Sequence, residues 1–197
     1  MNIIGITGSS GSGKTTLSKI LNEREEVKVI DADRIVKEMS VPGTDYLNAI
    51  NEKIGAEVFF EDGNLNRKAL AAKIYSDNSA REELNKLTFK YVVDEMLARI
   101  KYTTLNETNI KIVVIDAPLL FEAGLDKVCD YVVALVADKE LKIKRICQRD
   151  NIDEKTAESR LNIQNEDEFY TSKADFVIIN SKDCDLKNEI EKVLKEI

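Results

Sequence analysis

One octapeptide near the N-terminus constrains the fold more than any other feature of the chain. Residues 8–15 read GSSGSGKT and fit the pattern G-x-x-x-x-G-K-[ST], a loop that cradles phosphate groups. An apolar run of strand length, residues 3–6, precedes the loop, and residues 16–21 have the pattern of a helix. Together, a strand, a glycine-rich turn and a helix N-terminus aim backbone N–H groups and a helix dipole at one anion. The sequence therefore predicts a nucleoside triphosphate site.

Four residues of the loop have predicted roles that follow from their chemistry. Gly11 and Gly13 lack side chains where the backbone must approach a phosphate closely. Lys14 can reach the β- and γ-phosphates, and the Thr15 hydroxyl can ligate Mg²⁺. A glycine- and serine-rich loop that fits the pattern by chance is the alternative, and the flanking strand and helix disfavour it.

Length and composition restrict the class of protein. A chain of 197 residues forms one domain, or one domain with a small insertion, and can bury a full-sized core. It has no run of eighteen apolar residues and no signal-peptide pattern, so we expect no association with a membrane. Cys129, Cys147 and Cys184 are far apart and fit no zinc or redox spacing, which favours packing roles and a cytoplasmic location.

The charged residues exclude several functions. A net charge of −7 provides no strong positive field, so we expect no general binding of nucleic acid. The chain has no histidine, which excludes histidine-based triads, histidine-ligated metals and phosphohistidine chemistry. A general base is therefore expected to be a carboxylate.

Apolar runs of strand length alternate with helical patterns, which predicts an α/β fold with a parallel sheet flanked by helices. The predicted strands are residues 2–7, 27–30, 111–116, 131–136 and 176–179. Helices are predicted at residues 14–24, 139–150, 154–165 and 185–196.

About eighty residues between the second and third strands interrupt this alternation. The segment is predicted to be mostly helical, with turns at residues 42–43 and 61–64 and a long amphipathic helix over residues 80–105. An insertion at the carboxyl edge of a parallel sheet is a usual place to receive a second substrate, so we interpret it as an acceptor-binding part. The alternative is a helical insertion that only completes the core.

Two aspartates follow the second predicted strand. Asp31 and Asp33 are predicted to face the γ-phosphate region, where one carboxylate can orient or deprotonate an attacking hydroxyl and the other can help to hold Mg²⁺. The alternative is an N-cap for a helix over residues 34–39, a role that aspartate fills well.

Further charged residues complete the pattern. The apolar run before Asp116 resembles the second acidic element of P-loop enzymes, which predicts a ligand for Mg²⁺ or its water. Lys142, Arg145 and Arg149 recur at spacings of three and four, and Arg160 follows on the next predicted helix. Arginines here could neutralise phosphoryl charge from a lid formed by two helices. A solvated basic face is the alternative.

Taken together, these motifs resemble the dephospho-CoA kinase family almost from end to end. The specific matches are the order and spacing of residues 29–33, 42–43, 63–67, 84–85, 118–122, 145–150, 160–164 and 174–180. The resemblance implies a P-loop kinase that moves the γ-phosphate of ATP to the 3′-hydroxyl of dephospho-CoA, with Mg²⁺. It implies a core (1–33, 111–138, 174–197), a helical substrate-binding insertion (34–110) and a lid region (139–173) within one kinase domain.

The resemblance also implies roles for particular residues. Asp33 takes the base or orienting role, Lys14 is catalytic, and Arg145 and Arg149 correspond to lid arginines. The ATP loop comprises Gly11, Ser12, Gly13, Lys14, Thr15 and Thr16. The implied acceptor contacts are Asp33, Arg67, Asn85, Leu120 and Glu122, and the implied metal ligands are Thr15, Asp31 and Asp116. We expect a monomer.

The sequence departs from the family pattern at one place. After Leu84-Asn85 the family usually carries His-Pro, whereas this chain runs into Phe89-Lys90. The change falls in the acceptor region, so a related P-loop kinase for another nucleotide or nucleoside is the alternative function. Phe89 could stack on a base or fill the core, and we favour the core. A guanine-specific switch is disfavoured because no Asn-Lys-x-Asp element is present, and a non-catalytic relative is disfavoured by the intact Lys14 and Asp33.

Overall fold

A computed structural model describes residues 1–197, and its centre is a five-stranded sheet. The strands are β1 (Asn2–Thr7), β2 (Val27–Asp31), β3 (Ile112–Asp116), β4 (Tyr131–Val136) and β5 (Phe176–Ile179). They are arranged in the order β2-β3-β1-β4-β5, and β1 runs parallel to both of its neighbours. The predicted α/β fold with a parallel sheet is confirmed, and every predicted strand agrees to within one residue at either end.

The position of β1 determines which residues surround the phosphate loop. In the parallel register Ile6 of β1 lies opposite Asp116 of β3, and Thr7 lies opposite Ala134 of β4. The strand that ends in Asp31 is one place further away, because β3 lies between it and β1. The carboxyl edge beside the loop is therefore formed by β3 on one side and by β4 and β5 on the other.

Nine α-helices accompany the sheet. They are α1 (Lys14–Asn22), α2 (Ala32–Met39), α3 (Asp45–Lys53), α4 (Arg67–Ser76), α5 (Asn78–Asn106), α6 (Lys139–Asp150), α7 (Glu154–Asn162), α8 (Asp167–Thr171) and α9 (Leu186–Leu194). Helix α6 has the predicted bounds, and the predicted long helix over residues 80–105 is α5. Helix α7 ends three residues before its predicted end, and the separate helix α8 was not predicted. None of the helices combines the length and the apolar character that a membrane-spanning helix needs.

The chain forms two compact units. The first unit, Met1–Ile30 with Tyr102–Ile197, contains the sheet apart from Asp31. In its core, apolar residues of β1, β3, β4 and β5 pack against α1 through Leu17 and Leu21 and against α9 through Ile190. Both faces of the central strand are buried, as expected of a parallel sheet covered by helices.

The second unit, Asp31–Lys101, has a core of its own. Helix α3 contributes Tyr46, Leu47 and Ile50, and α5 contributes Ala80 and Leu84. The Tyr46 hydroxyl hydrogen-bonds the Thr88 hydroxyl at 2.9 Å, and burial raises the pKa of Tyr46. The predicted turns are present, with Gly43 and Gly63 in left-handed backbone conformations. This unit is therefore a small helical body, and the predicted substrate-binding insertion of residues 34–110 stays a prediction.

Candidate active site

The phosphate loop joins β1 to α1, and its geometry is that of an anion cradle. Gly13 has a φ of 112°, and α1 begins at Lys14. The Gly13 carbonyl accepts hydrogen bonds from the N–H groups of Thr16 and Leu17, both at 3.0 Å. The capping position provides no side-chain acceptor, so the other N–H groups of the first turn are oriented towards whatever lies in front of the helix.

Glycine is required at two positions of this loop. A Cβ on Gly13 would lie 2.1 Å from Asn180 Nδ2, and one on Gly11 would lie 2.6 Å from the Lys142 carbonyl oxygen. Both glycines also have positive φ values. The predicted need for glycine therefore has a second cause besides the approach of a phosphate. Neighbouring protein atoms lie too close to the loop to leave room for a Cβ at these positions.

Lys14 and the two threonines that follow it occupy the start of α1. The Lys14 ammonium group donates to the carbonyl oxygens of Gly8 at 2.5 Å and Ser9 at 3.1 Å, so it lies across the loop. Thr15 and Thr16 are exposed. These positions agree with the predicted nucleotide-binding roles, which stay predictions.

Asp116 lies at the end of β3, directly beside β1, and is buried. Its Oδ2 accepts a 2.5 Å hydrogen bond from the Ser18 hydroxyl on α1. Ser18 is one helical turn beyond Thr15 on the same helix. The carboxylate is thus held beneath the first turns of α1, and its predicted role as a ligand for Mg²⁺ or its water stays a prediction.

Arg145 of α6 contacts the loop directly. Its Nη1 donates to the carbonyl oxygen of Gly11 at 3.1 Å, and its Nη2 lies 3.3 Å from Asn180 Oδ1. The Asn180 amide donates in turn to the Ser12 carbonyl at 2.7 Å. In this conformation the guanidinium group therefore orders the backbone of the phosphate loop.

Arg149 is arranged differently from Arg145, although both lie on α6. It makes a two-point ion pair with Asp150 at 2.7 and 2.9 Å, and Arg160 of α7 binds the same carboxylate at 2.8 Å. The hydrogen bond from Arg149 is the main reason that the pKa of Asp150 is lowered. Arg149 and Arg160 thus meet at one carboxylate at the junction of α6 and α7.

The interpretation of the basic stripe as a solvated face is wrong for Lys142. This residue is 8% exposed, and its ammonium group lies 2.9 Å from both carboxylate oxygens of Asp167. A buried lysine needs such a partner, because removing an unpaired charge from water is costly. The three stripe residues therefore have three different environments.

Helices α6 and α7 form the expected helical pair. The chain turns at Asn151 with a φ of 52°, and Asp153 caps α7 by accepting the N–H of Thr156. Ile146, Ala157 and Leu161 form a small buried cluster between the two helices. The two helices are thus a packed pair, and their role as a lid stays a prediction.

Two predicted site residues lie at the start of the second unit. Asp31 accepts the N–H of Arg34 at 3.1 Å and is the N-cap of α2, so the capping interpretation is correct for this residue. Asp33 lies in the first turn of α2 and is exposed. The two carboxylates therefore differ in environment, because only Asp31 caps the helix.

Two further predicted acceptor residues lie within the same unit. Arg67 is the first residue of α4, directly after the N-cap Asn66. Asn85 is exposed on α5, and Phe89 is half-buried one turn further along the same helix. The preference for a core position of Phe89 stays a prediction.

The segment after β3 contains the remaining predicted acceptor contacts. Leu120 is fully buried, and a Cβ on Gly5 would lie 2.8 Å from its side chain. The Leu120 side chain therefore presents no surface to a substrate, and a contact of this residue with the acceptor stays a prediction. Glu122 instead accepts a 2.7 Å hydrogen bond from the Asn165 amide.

Sequence reasoning gave no role to three residues that support the loop: Gln164, Asp167 and Asn180. Gln164 and Asn180 belong to the family pattern, but the pattern did not indicate what they touch. Asn180 follows β5 directly, and the carboxyl edge of a parallel sheet could have indicated a position near the loop. Asp167 had no signal, since it lies in an acidic stretch that resembles an ordinary exposed turn.

Known proteins resemble this chain in both sequence and fold. Residues 2–185 match the family described as dephospho-CoA kinase. A dephospho-CoA kinase from Syntrophotalea carbinolica is 38% identical over 92% of this chain and 84% of that protein. The solved structure of dephospho-CoA kinase from Campylobacter jejuni is 28% identical, with a TM-score of 0.71 over 99% of this chain and 96% of its own. A solved Thermus thermophilus protein is 25% identical, with a TM-score of 0.79 over 100% of this chain and 97% of its own.

Proposed function

Since the chain belongs to the dephospho-CoA kinase family, we propose that it transfers the γ-phosphoryl group of ATP to the 3′-hydroxyl of dephospho-CoA. Members of this family are ATP-dependent transferases. The observation that carries the proposal is the complete phosphate loop, ordered at the end of β1, in a chain that matches the family over residues 2–185. The product of the reaction is coenzyme A.

ATP binding is assigned to the loop and the start of α1. Backbone N–H groups of the loop and the dipole of α1 attract the phosphates, and Lys14 supplies a positive charge. The Lys14 ammonium group lies on two loop carbonyls, so it is already oriented across the cradle. Arg145 and Arg149 add guanidinium groups, which suit the charge that builds on phosphoryl oxygens during transfer.

The residues present fit a Mg²⁺ ion that is held jointly with the nucleotide. The structure contains no group of three acidic or cysteine side chains that could form a protein-only metal site. Magnesium commonly uses one or two protein oxygens and takes its other ligands from phosphates and water. Thr15 and Asp116 would supply these oxygens, with Asp31 as a further candidate, and the bound ion neutralises phosphate charge.

The acceptor roles rest on the family pattern. Asp33 is assigned to align the acceptor hydroxyl for in-line attack and to accept its proton, a role open to an exposed carboxylate. Arg67, Asn85 and Glu122 are assigned to binding of the acceptor. A cytoplasmic location is proposed because the three cysteines form no disulfide. Action as a monomer, without nucleic acid or a membrane, also stays a prediction.

Identification of the product tests this proposal. The purified protein is incubated with Mg·ATP and dephospho-CoA, and the products are separated by chromatography and analysed by phosphorus NMR. We expect ADP and coenzyme A in equal amounts, with the new phosphate on the ribose 3′-oxygen. ADP without a phosphorylated acceptor, or a phosphate at another position, would contradict the proposal.

A further inference from the structure

The first arm of the phosphate loop, Ser9 and Ser10, is held by side chains from the distant segment 164–167. Gln164, which follows α7, makes two hydrogen bonds to one residue. The Ser10 N–H donates to Gln164 Oε1 at 2.8 Å, and Gln164 Nε2 donates to the Ser10 hydroxyl at 2.9 Å. The backbone N–H can only donate, so it fixes which end of the amide faces it and leaves Nε2 for the hydroxyl.

An ion pair between the buried Lys142 and the half-buried Asp167 holds the neighbouring residue. Ser9 is 3% exposed, and its hydroxyl donates to Asp167 Oδ1 at 3.1 Å. Lys142 Nζ donates to the same hydroxyl at 3.2 Å and pairs with Asp167. The three groups form a closed triad, in which every charge has a partner within the protein.

These contacts connect the helical pair α6–α7 to the catalytic lysine. Gln164 lies just beyond α7, whereas Lys142 belongs to α6, so both helices reach the loop. The triad holds the Ser9 side chain, and the backbone carbonyl of the same residue accepts a hydrogen bond from the Lys14 ammonium group. A shift of Ser9 or Ser10 would therefore move the atoms on which Lys14 lies and the N–H groups that follow in the loop.

We infer that Gln164, with the Lys142–Asp167 pair as a second support, is a positioning residue for ATP. It acts by fixing the first arm of the loop so that the following N–H groups and Lys14 are preorganised for the triphosphate. The inference rests on the proposed function only in that ATP is the nucleotide. It requires no particular acceptor, so ATP affinity measured without an acceptor tests it separately.

The experiment is a double-mutant cycle on the pair Gln164 and Ser10, with Mg·ATP affinity measured by calorimetry. Gln164→Ala removes both hydrogen bonds and is expected to weaken ATP binding about tenfold. Ser10→Ala removes one bond and is expected to weaken it about threefold. The double variant should bind ATP like Gln164→Ala alone, because the Ser10 hydroxyl has already lost that partner.

A matched control is Ile163→Ala, the preceding residue, whose side chain is 85% exposed. It should bind ATP like the wild type. A merely structural role of Gln164 would lower the fraction of folded protein, and hence the number of sites, without changing the dissociation constant. Wild-type affinity in Gln164→Ala, or effects that multiply in the double variant, would overturn the inference.

A separate variant tests the second support without breaking its ion pair. Ser9→Ala removes only the hydroxyl and leaves the Lys142–Asp167 pair intact. It should weaken Mg·ATP binding, measured without an acceptor, about threefold. An unchanged dissociation constant for Mg·ATP would contradict a role of this support in positioning the ATP loop.

Discussion

Asn180 donates its side-chain amide to the carbonyl oxygen of Ser12 at 2.7 Å, in a buried contact between residues 168 positions apart. The side-chain oxygen Oδ1 of Asn180 accepts a 3.3 Å hydrogen bond from Nη2 of Arg145, whose Nη1 donates to the Gly11 carbonyl oxygen. Asn180, which follows β5, and Arg145, which lies on α6, thus both contact the turn of the phosphate loop. The loop conformation is a property of the tertiary structure as well as of its glycines.

This contact predicts that Gly13→Ala destabilises the protein. The new Cβ would meet Asn180 Nδ2 at 2.1 Å at a residue with a φ of 112°. We expect a loss of about 2–4 kcal/mol in the free energy of unfolding, from backbone strain and the displaced hydrogen bond. Denaturant titration measures it. Gly124→Ala is the control, since its φ is also positive but its Cβ would meet nothing within 4 Å.

Lys14→Ala should weaken ATP binding and turnover together. The lysine provides a charged donor for phosphate oxygens, and the loss of such a hydrogen bond costs about 1.5–3 kcal/mol. This corresponds to a loss in ATP affinity of about ten- to a hundredfold. Lys19→Ala, an exposed lysine on the same helix, should bind ATP like the wild type. Equal affinities in both variants would mean that Lys14 does not bind the triphosphate.

Asp33→Asn separates binding from chemistry. The amide keeps the size of the side chain but cannot accept the acceptor proton, so turnover should fall about a hundredfold or more while ATP affinity stays nearly unchanged. Steady-state kinetics and ATP titration measure the two quantities. Asp45→Asn, another exposed aspartate in the first turn of a helix, should have normal turnover. Normal turnover in Asp33→Asn would remove this residue from the mechanism.

The ion pairs at Asp150 predict a pH dependence of stability. Arg149 and Arg160 lower the pKa of this carboxyl in the folded protein, so the folded state binds the proton less readily than the unfolded chain. The stabilisation is fully present above the unfolded pKa of about 3.9, and it is lost as the pH falls through the lower folded value.

Comparison of the wild type with Asp150→Asn measures this stabilisation. The wild type should have the higher free energy of unfolding at pH 7, and the difference should shrink as the pH falls below about 4. A difference that stays constant between pH 7 and pH 3 would show that the ionised carboxylate is not its cause.

The sequence predicts the sheet well for a physical reason. Buried parallel strands are short, continuous apolar runs, and here each is followed by a turn or a helical pattern. The octapeptide then places the phosphate loop at the end of β1. Local pattern alone was thus sufficient for five strands and for the loop.

The supports of the loop could not be predicted in this way. The hydrogen bonds that Ser10 and Ser9 donate to Gln164 and Asp167 join residues more than 150 positions apart, and their geometry depends on how α6–α8 pack. The alternative of a solvated basic face fails for Lys142 because helical spacing does not reveal a partner such as Asp167. Asp31 was ambiguous because the same residue type serves as a cap and as a metal ligand.

The most direct test of the central claim is the specificity constant, kcat/KM, for dephospho-CoA against a panel of other acceptors with Mg·ATP. The panel contains adenosine, other nucleosides and nucleoside monophosphates, and ADP formation is followed. A kcat/KM for dephospho-CoA at least a thousandfold above every other acceptor, about 4 kcal/mol of discrimination, is the predicted result. It would make Phe89-Lys90 a tolerated variation in the acceptor region. Preferential turnover of a nucleoside or nucleotide would contradict the account and assign this chain a different acceptor.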